Sequence, residues 1–204
     1  EIPAAAESVA ARYRSSGATP TIITGTYAFV AGSLAYINAA IEVLDQFDNF
    51  GERYPDYVVA CSTAGTQAGL AAAGRLLGIH WRTIGIAAAH FEQVPMRVAA
   101  MANAAANRLS LPLNLEPHDI WNDDEFVGPR YGIVTDASRH AVQFLAEREA
   151  IFVDPVYGGK VFAALRSYIA QGRIERGSRV LFIHTGGTPI LFEKGRELAI
   201  RENR

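Results

Sequence analysis

A short loop of small and hydroxyl-bearing residues has the composition of an anion-binding site. The loop consists of Ser62, Thr63, Ala64, Gly65 and Thr66. It follows an apolar run at 57–60 and leads into an Ala-rich helical pattern at 71–77. The first turn of a helix has free backbone N–H groups and about half a positive charge from the helix dipole. With hydroxyl donors beside it, such a loop suits a phosphate monoester.

The loop matches neither of the two most common phosphate-binding signatures. A P-loop needs Gly-Lys followed by Ser or Thr, and the dinucleotide-binding fingerprint needs G-x-G-x-x-G. Gly65 would allow a close backbone approach or a positive φ angle. Taken alone, the loop is therefore explained equally well as a tight strand-to-helix turn without a ligand.

Two later loops share this small-residue character, and each follows an apolar run. Residues 154–159 read Asp-Pro-Val-Tyr-Gly-Gly and come after a predicted short buried strand at 151–153. Residues 185–189 read Thr-Gly-Gly-Thr-Pro and come after a predicted strand at 179–184. In an open parallel sheet the ligand lies beyond the carboxyl ends of the strands. The three loops are therefore expected to face one crevice.

The elements that would position these loops alternate along the chain. Helices are predicted at 6–16, 32–47, 66–77, 93–109, 136–148 with Asp136 as N-cap, 160–171 and beyond 189. Strands are predicted at 21–24, 57–61, 81–87, 151–153 and 179–184, with a weak strand within 111–125. This alternation, with strands apolar on both faces, predicts an α/β fold with a mostly parallel sheet and helices on both faces.

Composition excludes several classes of partner. A formal charge of −2 gives no basic surface for nucleic acid, and no apolar run approaches the roughly 20 residues of a membrane span. The first residues lack the basic and apolar regions of a signal peptide, which favours a cytoplasmic protein. The single cysteine, Cys61, excludes an intrachain disulfide, and neither it nor the histidines have metal-ligand spacing. Neither nucleic acid, nor a membrane, nor a metal ion is therefore expected as a partner.

Four segments together make the chain resemble a known enzyme family. The segments are 62–70, 130–132, 154–160 and 184–189. In their order and spacing they resemble the later part of the pyridoxal-phosphate enzymes of fold type II, in particular the group of 1-aminocyclopropane-1-carboxylate deaminase and D-cysteine desulfhydrase. The resemblance runs from about Pro20 to Phe192. It implies that residues 21–204 form the large, phosphate-binding α/β domain and that residues 1–20 are the end of the small domain or a junction.

The resemblance also implies a role for each site residue. The loop from Ser62 to Thr66 would hold the phosphate of pyridoxal 5'-phosphate. Tyr131 and Tyr157 would lie on the substrate side of the cofactor, where such tyrosines act as acid, base or nucleophile. Thr185 would lie near the pyridine nitrogen, and its neutral hydroxyl would leave the ring a weaker electron sink than a carboxylate would.

Two departures from the family pattern are visible. Gly158 stands where the cyclopropane deaminases have a glutamate, which argues against strict deaminase identity. The Schiff-base lysine of the family lies in an upstream region that these 204 residues do not include. The two lysines present are Lys160, which matches a different lysine of the family, and Lys194, in a polar helix. The expectation is therefore a second polypeptide that supplies the lysine, as a partner subunit or as the other part of a cleaved precursor, in a dimer of such pairs.

The expected function is a pyridoxal-phosphate-dependent lyase or deaminase that converts a small amino acid into a 2-keto acid and ammonia. D-cysteine, another β-substituted amino acid and 1-aminocyclopropane-1-carboxylate are the candidate substrates. The alternatives are a non-catalytic relative that binds pyridoxal phosphate or another phosphate ligand, and a nucleotide- or sugar-phosphate-binding protein.

Each site residue also has a purely structural interpretation. Tyr157 would then be a core tyrosine, Tyr131 part of a surface turn, and His184 a core histidine at the end of a strand. Cys61 is more simply explained by packing than by nucleophilic chemistry. The acidic run at 123–125 is interpreted as a solvated loop.

Overall fold

The computed structural model describes residues 2–23, 25–62 and 64–199, without the side chains of residues 2 and 25–27. Seven α-helices and four strands follow in the order α1 Ile2–Ser15, α2 Gly25–Asn49, β1 Tyr57–Ser62, α3 Gly65–Leu76, β2 Arg82–Ala87, α4 Val94–Arg108, β3 Trp121–Asp123, α5 Asp136–Glu149, α6 Gly158–Ala170, β4 Val180–Ile183 and α7 Ile190–Leu198. A short 3-10 helix, Pro117–Asp119, precedes β3.

The four strands form one parallel sheet in the order β3-β2-β1-β4. At its centre, Val59 of β1 pairs with Ile84 of β2 on one side and with Phe182 of β4 on the other. All six residues of β1 are buried, whereas β4, at an edge, is only half-buried. The α/β fold and the parallel sheet predicted from the sequence are confirmed.

Helices cover both faces of the sheet, and successive residues of β1 alternate between them. Val58 and Ala60 pack with α2, α3 and α4 on one face. Val59 and Cys61 pack on the other face, with residues of α6 that include Tyr168. Strands buried on both faces need apolar side chains at every position, which is why the strand sequences show no apolar–polar alternation.

Several boundaries differ from the sequence prediction. Residues 21–23 form no strand, and position 24 lies outside the described residues. Residues 151–153 are not paired as a strand either, since Ile151 and Phe152 are exposed and only Val153 is buried. Both runs have β-branched or apolar side chains but no neighbouring strand among the described residues. The N-cap of α5 is Thr135 rather than Asp136, because Thr135 Oγ1 accepts the N–H of Ser138 at 3.1 Å.

One described helical stretch, Ala28–Asn49, is long and apolar enough to cross a membrane by length and composition. The expectation that no such stretch exists was therefore too strong. The same helix packs against α3 and α4, although only 17% of its most apolar window is buried within the structure.

The contact between α2 and α3 is a backbone-to-backbone approach at Gly69. A Cβ atom on Gly69 would lie 2.3 Å from the carbonyl oxygen of Ser33 and 2.6 Å from Cβ of Tyr36. Ser33 is itself buried, and its Oγ lies 3.2 Å from the carbonyl oxygen of Gly65 at the start of α3. The position of the loop before α3 therefore depends on a glycine in the middle of that helix.

Replacing Gly69 with alanine is expected to destabilise the protein by about 1–3 kcal/mol, because a methyl group there must push two backbones apart. Gly195 in α7 is the matched control, since a Cβ added there meets nothing within 4 Å. Gly195→Ala should stabilise the helix by about 0.5–1 kcal/mol. Urea unfolding of both variants measures the difference, and a Gly69→Ala protein as stable as the parent would contradict the close approach.

Candidate functional site

The loop between β1 and α3 has an unusual backbone at Ala64. Ala64 is the N-cap of α3 and has a φ of 98°, a value that side-chain-bearing residues rarely adopt. Of the two roles that the sequence left open for Gly65, a positive φ or a close backbone approach, Gly65 does not have the positive φ. Gly65 instead provides the close approach, because a Cβ on it would lie 3.3 Å from the carbonyl oxygen of Phe29. Thr63 lies outside the described residues.

The N-terminus of α3 offers donors to an anion. Ala64 has no side chain that could cap the helix, and the first helical bond runs from the N–H of Ala68 to the carbonyl of Ala64. The N–H groups of residues 65–67, in the first turn, therefore have no acceptor within the helix. Within the described residues the half-buried Thr66 hydroxyl has no hydrogen-bond partner either. This donor set fits a phosphate, the group that the resemblance assigns to the loop.

Ser62, in contrast, has a hydroxyl that is already engaged beneath the loop. Its Oγ is buried and donates to Oε1 of Gln67 at 2.8 Å. The same Oε1 accepts from Nδ2 of Asn122 at 2.9 Å, and Nε2 of Gln67 donates to the carbonyl of Trp121 at 2.7 Å. Gly85 makes room for this amide, since a Cβ there would lie 2.0 Å from Oε1 of Gln67.

Gln67 is the residue of this site that sequence reasoning missed. Its only sequence signal is a polar residue inside an Ala-rich helix, and its partners Trp121 and Asn122 lie more than 50 residues away in the chain. The network joins Ser62, at the end of β1, through Gln67 to Trp121 and Asn122 of β3. Ser62 therefore supports the loop through its hydrogen bond to Gln67, on the interior side of the loop.

A buried carboxylate organises the second loop. Asp154 has no exposed surface, and it accepts the N–H groups of Val156 at 2.7 Å, Tyr157 at 2.8 Å and Gly158 at 3.0 Å. The bonds to Tyr157 and Gly158 hold the N-cap residue of α6 and its first amide, and the next amide, of Gly159, bonds to the backbone carbonyl of Asp154 at 2.6 Å. Gly187 of the third loop lies against this carboxylate, since a Cβ on it would be 2.6 Å from Oδ1 of Asp154.

The second and third loops are therefore in contact, as the sequence predicted. Gly187 has a φ of 90°, which brings its backbone against the ring of Tyr157 as well as the carboxylate of Asp154. The first loop follows β1 and the third follows β4, and these two strands are neighbours in the sheet. All three loops consequently lie at the carboxyl edge of the sheet.

The two predicted tyrosines meet at this edge. Their hydroxyl groups are in hydrogen-bond contact, and their ring centroids lie 6.1 Å apart with an interplanar angle of 56°. Tyr157 is half-buried, whereas Tyr131 is 52% exposed. Burial first, and then the hydrogen bond with Tyr131, raises the pKa of Tyr157 well above the ordinary value of a phenol. The Tyr157 hydroxyl is therefore protonated and neutral at physiological pH.

His184 and Thr185 come directly after β4 in the chain, and both are exposed. Thr185 is exposed, and within the described residues its hydroxyl has no hydrogen-bond partner. His184 is exposed rather than in the core, with Nε2 3.1 Å from the carbonyl of Phe152. The core interpretation of His184 was wrong because β4 is an edge strand and its end is open to solvent.

The acidic run and the cysteine have structural roles. Asp123 is not solvated as expected, since its carboxylate accepts the buried Tyr168 hydroxyl and is only 9% exposed, whereas Asp124 and Glu125 are exposed. Burial raises the pKa of Cys61 to about 12, so its thiol is a packing group. The described part of the chain contains no group of three His, Cys, Asp or Glu residues that could hold a metal ion.

Comparison with known proteins places this geometry in a family. The profile described as "Pyridoxal-phosphate dependent enzyme" matches residues 3–186. The D-cysteine desulfhydrase of Serratia proteamaculans is 33% identical over 186 residues, which cover 90% of this chain and 55% of that protein. The D-cysteine desulfhydrase of Salmonella typhi is 35% identical over 188 residues, covering 91% of this chain and 56% of that protein.

Solved structures agree with the sequence comparison. A crystal structure of a homologue of ACC deaminase matches with a TM-score of 0.82 and 28% identity, covering 97% of this chain and 58% of that one. An O-ureido-L-serine synthase structure shares the fold, with a TM-score of 0.51 and 18% identity, over 85% of this chain and 51% of that one. The chain thus spans little more than half the length of the proteins it matches. It belongs to the pyridoxal-phosphate-dependent enzymes of fold type II, together with its D-cysteine desulfhydrase and ACC deaminase relatives.

Proposed function

We propose that this chain binds the phosphate of pyridoxal 5'-phosphate and provides the tyrosine pair of a lyase or deaminase that acts on a small amino acid. The products would be a 2-keto acid and ammonia. The observation that carries the proposal is the contact between Tyr131 and Tyr157, at the same sheet edge as the uncapped N-terminus of α3. Phosphate donors and a proton-bearing group are then available on neighbouring loops.

Each residue of the site would have a separate task. The amides at 65–67 and the Thr66 hydroxyl would hold the phosphate, and the Thr185 hydroxyl would face the pyridine nitrogen. Pyridoxal phosphate, when bound, supplies an electron sink for charge that develops at the α-carbon of the amino acid. Tyr157 would hold a proton on its hydroxyl oxygen, and Tyr131, which is more exposed, would connect that proton with the substrate side of the site.

Neither lysine of this chain matches the Schiff-base lysine that the resemblance implies. Lys160 is buried and donates to the carbonyl of Val127, and Lys194 lies on α7 beside Glu193 and Glu197. We therefore propose that the Schiff-base lysine belongs to polypeptide outside residues 1–204. Two such pairs would form a dimer.

The edge of the sheet at β4 is the proposed docking surface for that polypeptide. β4 is half-buried along its length, and Phe152, whose carbonyl lies 3.1 Å from Nε2 of His184 directly after β4, is 60% exposed. Large apolar side chains beside an edge strand favour a partner that covers both. The chain spans 55–58% of its relatives, so the remaining length is sufficient for such a partner.

The packing around Gly158 favours some of the candidate substrates over others. A Cβ on Gly158 would lie 2.9 Å from Cβ of Val153, so a longer side chain at this position would displace the core beneath α6. The resemblance places the glutamate of the cyclopropane deaminases here. Within the proposal this favours elimination from D-cysteine or another β-substituted amino acid over opening of the ring of 1-aminocyclopropane-1-carboxylate. We also propose a cytoplasmic location, consistent with a single buried cysteine.

Replacing Tyr157 with phenylalanine is expected to lower turnover by about 10²–10⁴-fold, because the proton-bearing hydroxyl is lost from the site. Pyridoxal-phosphate binding should remain unchanged. Tyr54→Phe is the matched control, since the Tyr54 hydroxyl bonds to Asp48 at 2.7 Å away from the site. The assay uses the chain together with the lysine-supplying polypeptide and D-cysteine, and equal turnover of both variants would contradict the assignment.

Replacing Thr66 with aspartate tests the phosphate site without catalysis. An acidic residue in the first turn stabilises a helix, so the variant should fold, but its charge repels a phosphate. We expect at least about a tenfold loss of affinity for pyridoxal 5'-phosphate, which corresponds to about 1.4 kcal/mol. Pyridoxal without phosphate, and the exposed control Ser16→Asp, should show no such loss. An equal loss of affinity for pyridoxal and for pyridoxal 5'-phosphate would contradict a phosphate site at Thr66.

The source of the lysine can be identified by intact and peptide mass spectrometry of the native preparation after borohydride reduction. The expected result is a pyridoxyl-lysine adduct on polypeptide outside residues 1–204, with Lys160 and Lys194 unmodified. If neither a second polypeptide nor an adduct is found, the catalytic proposal fails. The non-catalytic phosphate-ligand-binding function would then take its place.

A further inference from the structure

The loop that carries Tyr131 is held by side chains from other elements. Residues 124–131, called the tyrosine loop below, have no helix or strand of their own. His90 approaches the loop from the solvent side, with Nδ1 2.9 Å from Oδ2 of Asp124 and Nε2 3.0 Å from the carbonyl of Gly128. Lys160 approaches it from the protein interior. The position of Tyr131 therefore depends on these anchors.

Lys160 makes an unusual contact for a lysine. Its side chain is 1% exposed, and Nζ donates to the carbonyl oxygen of Val127 at 2.6 Å. This carbonyl is the only hydrogen-bond partner of Nζ within the described part of the chain, which contains no carboxylate within 4 Å of it. Asp154 and Cys61 are the titratable groups that act on it electrostatically, and burial lowers its pKa. An ammonium group buried this way is expensive, so its retention calls for a reason.

The reason lies in what the bond connects. Lys160 stands in the first turn of α6, three residues after Tyr157, and Val127 stands four residues before Tyr131. The bond between them therefore joins the two elements that carry the two tyrosines. Gly128, next to Val127, has a φ of 77° and packs against Thr135, so the chain reverses immediately after the anchored carbonyl.

We propose that Lys160 is a positioning residue whose bond to Val127 sets the contact between Tyr131 and Tyr157. The inference rests on the proposed function only in assigning the tyrosine pair a role in catalysis. Lys160 holds the tyrosine loop against α6, and the tyrosine hydroxyls meet as a result. The buried amine is thereby held as a donor to the backbone of the tyrosine loop.

The test compares Lys160→Met with the parent protein by NMR with ring-labelled tyrosine and tryptophan. Methionine is nearly as long as lysine and apolar, so it removes the donor and the buried charge while filling the space. In the parent, cross-peaks between the rings of Tyr131 and Tyr157 are expected, assigned with the two Tyr→Phe variants. Lys160→Met should weaken them at least about threefold relative to the parent.

The same spectrum contains an internal control for folding. The rings of Trp121 and Tyr168 lie 5.5 Å apart on the sheet side of α6, and their cross-peaks should persist in Lys160→Met. Lys160→Gln, which keeps a donor on a shorter side chain, should restore part of the Tyr131–Tyr157 signal. If that signal is unchanged in a folded Lys160→Met protein, the proposal is overturned.

A second measurement needs no variant. The chain has two lysines, and reductive methylation of the folded protein should modify Lys194 rapidly and Lys160 at least about a hundredfold more slowly. Comparable rates would show that the Lys160 amine is not held by Val127, and would also overturn the proposal. Neither experiment uses substrate or cofactor, so the proposed function can fail while this inference stands, and the reverse also holds.

Discussion

The three backbone bonds to the buried carboxylate of Asp154 are the interaction on which the site depends. They start α6, set the direction of Tyr157 and place the carboxylate where Gly187 of the next loop packs against it. A buried carboxylate is tolerated only when its oxygens are hydrogen-bonded, and the start of a helix supplies both N–H donors and a favourable dipole. Loss of this side chain would leave three amides and the third loop without support.

The two helices that begin at the site differ in how their first turns are satisfied. The amides at the start of α6 are bound by Asp154, whereas the N-cap of α3 is Ala64, which has no polar side chain. The N–H groups of Tyr157 and Gly158 are thus occupied by a carboxylate, whereas the first turn of α3 has no side-chain cap. This difference supports α3 as the proposed phosphate position.

Polar side chains are buried beneath the crevice. Gln67 ties β1 and β3 together under the anion loop, and Lys160 lies between α6 and the tyrosine loop. Each has at least one hydrogen-bond partner, as does every buried side-chain nitrogen and oxygen in the described part of the chain. Such networks favour one arrangement of the loops over others, because any alternative leaves a buried polar group unsatisfied.

The sequence by itself determined the α/β class, most helices and strands, and the three loops, because period and turn chemistry are local properties. It failed at 21–23 and 151–153, where β-branched or apolar runs have no strand to pair with, and at His184, whose exposure follows from β4 being an edge. Only the tertiary structure decided that Ala64 rather than Gly65 has the positive φ, that Ser62 bonds to Gln67, and that Lys160 reaches Val127. Most of these depend on contacts between residues far apart in the chain, which no local pattern encodes.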